Sequence, residues 1–123
     1  MGYKFNNETP IYLQIIEEIK KQIINKVYMP NEKLPSVREL SLMFEVNPNT
    51  IQKALNELEE IGLIYTERTN GKFVSQNEEV INLIRNKTIE TEIKDFCYLM
   101  KNLGVSKSEL IEIIKGEDWL WVF

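Results

Sequence analysis

The stretch that decides the fold is residues 34–63, LPSVRELSLMFEVNPNTIQKALNELEEIGL. It contains two helix starts in close succession. Ser36 followed three residues later by Glu39 is a capping box, and Asn47 before Pro48 is an N-cap with proline at the first helical position. Only three residues lie between the two predicted helices. A short helix that turns sharply into a longer one is typical of a helix-turn-helix.

An amphipathic helix is predicted before this stretch. Isoleucines recur at helical spacing from Ile11 to Ile24, with Thr9 as the expected N-cap and Pro10 at the first helical position. The pattern ends near Val27, before the next proline.

A wing is predicted after it. Gly62 is placed to end the third helix in a left-handed cap. Residues 63–67 and 72–75 then have the pattern of two short strands, and Asn70-Gly71 between them is expected to supply the positive backbone angles of a tight hairpin.

The helical pattern resumes in the tail. A helix of roughly 25 residues is expected from about Glu78 to the stop at Gly104, and a short one from the cap at Ser106 to Gly116. The predicted fold is therefore mainly α with a small β-hairpin. We expect a winged helix-turn-helix DNA-binding domain over residues 1–76 and a short helical dimerisation tail over residues 77–123.

Composition narrows the class of function. The chain has no histidine and one cysteine, so a His-dependent catalytic site, a Cys/His metal site and an internal disulfide are not expected. We expect no enzyme, no metal and no cofactor. Without a secretory leader or an apolar run of roughly 20 residues, a cytoplasmic protein with no membrane contact is expected.

Three motifs resemble those of the GntR family of bacterial transcription regulators. They are LPSVREL at residues 34–40, NPNTIQKAL at 47–55 and LEEIGLI at 58–64. The Asn-Pro-Asn-Thr variant and the short tail are similar to the YtrA-like subfamily, which lacks a large effector-binding domain. The resemblance implies a dimeric repressor that binds a double-stranded DNA operator.

The third helix is expected to present DNA-reading groups on its outer face. Asn49 and Gln52 can each make a bidentate pair with adenine, whereas Thr50 and Lys53 suit phosphates. Further contacts are expected at the start of the second helix and in the wing, from Ser36, Arg38, Arg68, Gly71 and Lys72. An ordinary solvated helix face, a plain cap at Ser36 and a solvated hairpin are the alternatives.

Apolar residues of the tail are expected to form a homodimer interface, which predicts an operator with inverted half-sites. They are Leu83, Ile84, Ile93, Phe96, Met100, Leu110, Ile114, Trp119 and Trp121. The alternative is a tail that folds back on its own domain.

The formal net charge of −4 opposes DNA binding in general. However, the acids of the third helix lie in its C-terminal half, away from the proposed reading end. A winged-helix module for protein–protein assembly remains the competing function. The operator, the regulated genes and any small-molecule effector are not determined by the sequence.

Overall fold

The computed structural model describes residues 3–119. Its elements are α1 (Ile11–Ile24), α2 (Val37–Phe44), α3 (Pro48–Glu60), β1 (Ile64–Glu67), β2 (Gly71–Val74), α4 (Glu78–Asn102) and α5 (Lys107–Lys115). The chain divides into two compact units, and the division falls inside α4, between Arg85 and Asn86. The predicted mainly helical fold with one hairpin is confirmed.

The first unit has a core to which every element of the winged helix contributes. α1 buries Ile15, Ile19 and Ile23 on one face, as its helical spacing predicts. The other fully or almost fully buried apolar residues include Leu40, Ile51, Leu55, Leu58, Ile64, Val74 and Ile81. Burial of each such side chain stabilises the fold by about 1.5–3 kcal/mol, so this core fixes where α3 stands.

The two caps of the helix-turn-helix are confirmed. Ser36 Oγ accepts a hydrogen bond from the Glu39 N–H at 3.0 Å, and the Glu39 carboxylate accepts one from the Ser36 N–H at 2.9 Å. The Ser36 N–H therefore holds the pKa of Glu39 below its ordinary value. Asn47 Oδ1 accepts from the Asn49 N–H at 2.7 Å and caps α3.

The turn between α2 and α3 needs one left-handed residue. Glu45 takes that conformation with φ 56°. The Ser41 hydroxyl donates to the Val46 carbonyl at 2.5 Å and closes the turn from the α2 side. Together they place the start of α3 directly after the end of α2.

The predicted start of α1 is wrong by one residue. Pro10 is the N-cap, with ψ 141°, and the helix begins at Ile11. Thr9 lies before the N-cap, and no side chain caps the helix. The Thr9 carbonyl accepts from the Gln14 side chain at 2.9 Å. The helix also ends at Ile24, earlier than predicted.

The hairpin of the wing turns differently than predicted. β1 and β2 pair antiparallel with Glu67 opposite Gly71, which leaves a three-residue loop. Gly71 has φ 99°, whereas Asn70 has no positive φ, so the expected pair of positive angles is wrong. A turn followed by one left-handed glycine is the usual three-residue hairpin.

A third strand-like segment extends the wing. The Leu34 N–H donates to the Lys72 carbonyl at 2.9 Å, and the Asn31 N–H donates to the Val74 carbonyl at 2.9 Å. Sequence analysis missed this pairing, because the segment is too short to show a strand period.

The second unit contains the rest of α4 and α5. The 25-residue length of α4 is as predicted, and Gly104 follows it with φ 79°. Ser106 Oγ accepts from the Glu109 N–H at 3.2 Å and caps α5. None of the helices described between residues 3 and 119 is long and apolar enough to cross a membrane.

Candidate nucleic-acid interface

The leading half of α3 presents polar side chains to solvent. Asn49 and Lys53 are exposed, Thr50 and Gln52 are half-buried, and Ile51 on the opposite face is fully buried. Gln52 Nε2 donates to Asn56 Oδ1 at 2.9 Å, one turn further along the helix. The four α3 residues predicted to contact DNA therefore lie together, and the first turn of α3 carries no acid.

The start of α2 supplies a second cation. Arg38 is exposed and makes no ion pair or hydrogen bond with any of residues 3–119 through its guanidinium. Ser36 beside it is exposed as well, although its hydroxyl oxygen accepts the capping hydrogen bond. A guanidinium without a carboxylate partner at a helix start is suited to bind a phosphate.

The three wing residues predicted to contact DNA are Arg68, Gly71 and Lys72, and they have different environments. Arg68 is exposed in the loop, and Gly71 provides the turn. Lys72 is held inside the first unit, because its ammonium lies 2.8 Å from Glu59 Oε1 and 2.8 Å from Thr66 Oγ1. Its side chain is only 19% exposed. Lys72 would have to leave these partners to reach DNA.

The Lys72 interaction also bears on the net negative charge, which opposes DNA binding in general. The hydrogen bond from Lys72, followed by that from Thr66, holds the pKa of Glu59 below its ordinary value. Glu59, at the far end of α3, is therefore an ionised carboxylate whose negative charge is balanced by the Lys72 ammonium. The acids Glu57 and Glu60 lie in the same half, away from the reading residues.

One residue near the reading end was missed by sequence analysis. Tyr12 of α1 lies under Lys53, whose Nζ is 3.8 Å from the centroid of the ring. No sequence spacing relates these two residues, since they lie far apart in the chain and only the packing of α1 against α3 brings them together.

The winged helix matches a known family over most of its length. The model of the bacterial regulatory proteins of the gntR family matches residues 11–74, which is more than half of the chain. The chain belongs to the GntR family. It is a helix-turn-helix transcriptional regulator, as the resemblance implied.

Individual GntR-family relatives extend the match beyond the winged helix. The chain is 39% identical over 111 residues to the HTH-type transcriptional repressor YtrA of Bacillus subtilis, covering 89% of this chain and 85% of YtrA. This similarity supports the YtrA-like placement.

Two solved structures match the chain to different extents. A GntR family transcriptional regulator from Listeria monocytogenes has a TM-score of 0.88 and 38% identity, covering 93% of this chain and all of that one. The AraR DNA-binding domain in complex with operator ORE1 has a TM-score of 0.54 and 34% identity, covering 61% of this chain and 93% of that domain.

The tail of this GntR-family regulator exposes many of its apolar side chains in the single chain. The predicted dimerisation residues Leu83, Ile93, Phe96, Ile114 and Trp119 are exposed, with Leu83 at 68% and Phe96 at 41%. Trp121 lies outside the described residues. Cys97, next to Phe96 on α4, is exposed too, so it is not a core residue of the single chain.

Three predicted dimerisation residues are partly covered. Ile84 packs against the core of the first unit. Met100 and Leu110 line a mainly apolar hollow of about 400 Å³ between the end of α4 and the start of α5.

Proposed function

We propose that this GntR-family regulator is a repressor that binds an inverted-repeat operator as a homodimer. The observation that carries the proposal is the polar leading half of α3, which lies beside Tyr12 and carries a lysine without a carboxylate partner. The repressor YtrA and the operator-bound AraR domain are relatives that support it.

Two side chains of α3 are suited to recognise bases, and two others are suited to bind backbone phosphates. Gln52 and Asn49 have the amide groups that pair with the N6 and N7 edge of adenine in the major groove. Lys53 and Thr50 suit backbone phosphates, which position the protein without reading sequence. The Gln52–Asn56 hydrogen bond preorganises the Gln52 amide along the helix axis.

The remaining cations fit the DNA backbone. Arg38 is proposed to hold a phosphate or guanine beside the start of α2, with Ser36 next to it. Arg68 and Gly71 at the wing tip are proposed to approach the backbone or minor groove. Lys72 contacts DNA only if the Glu59 ion pair opens.

Salt dependence distinguishes these possibilities for Lys72. If Arg38, Lys53 and Arg68 bind phosphates, the dimer makes about six phosphate contacts and log affinity falls with log salt at a slope of about −5. If Lys72 joins them, the slope is about −7. Affinity that is flat between low and moderate salt would contradict the electrostatic account of binding.

The test of the function is selection of binding sites from random duplex DNA. The full chain is compared with a variant carrying Gln52→Ala and Lys53→Ala. A variant with Lys21→Ala and Gln22→Ala is the matched control, because it removes the same side-chain types from α1. We expect the wild type and the control to enrich one inverted repeat, with half-sites about one helical turn apart or a multiple of it. The α3 variant should lose it.

Enrichment of no sequence by the wild type would contradict DNA recognition. It would favour the protein-assembly module instead.

Dimerisation through the tail is supported by its exposed apolar residues, since soluble monomers rarely leave such a surface uncovered. A second copy could cover Ile93 and Phe96 and fill the hollow beside Met100 and Leu110. We expect a dimer in sedimentation at micromolar concentration. Ile93→Glu with Phe96→Glu should give monomers, whereas Glu92→Gln with Asp95→Asn should not. A monomeric wild type would contradict the homodimer.

A further inference from the structure

Lys53 differs from four other lysines of the first unit in the group that its ammonium contacts. Those four pair with glutamates at 2.8–3.6 Å, and they are Lys20, Lys21, Lys26 and Lys72. Lys53 makes no ion pair with a carboxylate among residues 3–119 and instead lies 3.8 Å above the Tyr12 ring. A ring face orients an ammonium without neutralising it. The charge of Lys53 is therefore fixed in place and remains available to an anion.

The lysine and the ring lie in a depression between the starts of α1 and α3. It has a volume of about 390 Å³ and is lined by Ile11, Tyr12, Asn49, Thr50 and Lys53. None of these five described lining residues is acidic. The hydroxyls of Tyr12 and Thr50 make no hydrogen bond within the described part of the chain. The depression thus combines one cation with two uncommitted hydroxyl groups.

The start of α1 borders the same depression and is uncapped. Its N-cap, Pro10, makes no side-chain hydrogen bond, and its first turn has no acid. The N–H groups of Ile11 and Tyr12 find no acceptor among residues 3–119, because Pro10 accepts only from Leu13 and Gln14. By contrast α2, α3 and α5 each have a side-chain cap. The first turn of α1, which borders the depression, thus has N–H groups that no described acceptor satisfies.

We propose that Tyr12, Thr50 and Lys53 form a seat for one phosphate of the operator backbone. The inference rests on the proposed operator binding and adds a residue of the first helix to it. A phosphate held between α1 and α3 fixes the angle at which α3 enters the major groove. Tyr12 orients Lys53 and adds its hydroxyl to the site, so it contacts the DNA backbone and reads no base.

Operator affinity as a function of salt tests the seat. Tyr12→Leu keeps an apolar contact with the core but removes the ring and the hydroxyl. We expect it to bind both the operator and unrelated duplex about a hundredfold more weakly, since one charge-assisted contact worth about tenfold is lost from each of the two protomers. Lys53→Gln should reduce the magnitude of the salt slope by about two for the dimer.

Two further variants control for indirect effects. Tyr12→Phe keeps the ring, so it should retain the wild-type salt slope and lose only part of the affinity. Lys21→Gln removes a cation of α1 that pairs with Glu18, and it should bind as the wild type does. Circular dichroism melting checks that each variant is folded. Wild-type affinity and slope in both Tyr12→Leu and Lys53→Gln would overturn the seat.

Neutral methylphosphonate linkages locate the phosphate. One linkage at a time is replaced in a half-site of the selected operator. We expect one replacement to weaken the wild type about tenfold and to leave Lys53→Gln unchanged, while replacements elsewhere weaken both proteins. Equal losses in both proteins at every linkage would overturn the proposal. Failure of the wild type to bind any selected duplex would instead overturn the proposed function.

Discussion

Ser36 closes the first turn of α2 with a complete capping box and also lies on the surface proposed to meet DNA. Three substitutions separate the two roles. Ser36→Ala should lower the free energy of unfolding by about 1 kcal/mol, because the cap is lost. Ser36→Asn and Ser36→Asp both retain a cap, so both should remain close to wild-type stability in urea unfolding.

Operator affinity then decides whether Ser36 contacts phosphate. The Asp variant should bind more weakly than the Asn variant, because only the carboxylate repels a phosphate. Ser106→Asp, at the equivalent cap of α5, is the matched control and should leave affinity unchanged. Equal affinities of the Asn and Asp variants would mean that Ser36 is only a cap.

The Glu59–Lys72 pair predicts a pH-dependent stability. The hydrogen bond from Lys72 lowers the pKa of Glu59 in the folded state. The stabilisation is therefore present above the unfolded-state pKa and is lost as the pH falls through the lower folded-state value. Glu59→Gln should be less stable than the wild type at neutral pH, and this difference should shrink below about pH 4.3.

Urea unfolding between acidic and neutral pH measures this difference. Glu60→Gln is the control, since Glu60 is exposed and makes no ion pair with residues 3–119. A Glu59→Gln deficit that is constant with pH would contradict an ionic origin.

At the scale of the elements, the wing depends on Gly71. Its φ of 99° lies in the left-handed region, and an added Cβ would lie 3.3 Å from Lys33 Cε. Gly71→Ala should therefore destabilise the wing by about 1–2 kcal/mol. Hydrogen exchange should speed up at the Leu34 and Val74 amides, which bond across this sheet.

Thr69→Ala, in the same loop, should leave exchange at these amides unchanged, because Thr69 does not have a positive φ. Protection that persists in Gly71→Ala would show that the wing tolerates a side chain there. If Gly71→Ala loses both operator affinity and hydrogen-exchange protection, Gly71 acts through the shape of the wing.

At the scale of the whole molecule, α4 contributes to both compact units. Ile81 is 2% exposed in the core of the first unit, whereas Leu83 is 68% exposed. Ile81→Ala should cost about 2–5 kcal/mol of unfolding free energy at any protein concentration. Leu83→Ala should cost stability only through dimerisation, so its effect should depend on protein concentration.

Urea unfolding at several protein concentrations makes the comparison. Equal effects of the two substitutions would contradict the assignment of Ile81 to the first unit. The outcome also bears on the predicted domain boundary after residue 76, since residues 77–85 belong to the first compact unit.

The local patterns of the sequence determined the order of the elements and most of their ends. The caps at Ser36 and Asn47, the glycine after α3 and the length of α4 depend on residues within one turn of each other. Such short-range interactions can be predicted from neighbouring residues in the sequence. It also placed the outer face of α3, because the helical period separates Ile51 from Gln52 and Lys53.

The tertiary structure decided which of those groups have partners. The pairing of Lys72 with Glu59, the contact of Lys53 with Tyr12 and the strand-like segment at residues 31–34 join residues far apart in the chain. No periodicity or local motif encodes such distances, because they arise only when α1, α3 and the hairpin pack on one core. The sequence thus determined which residues α3 could offer to DNA, and packing decided which cations near it are free to bind.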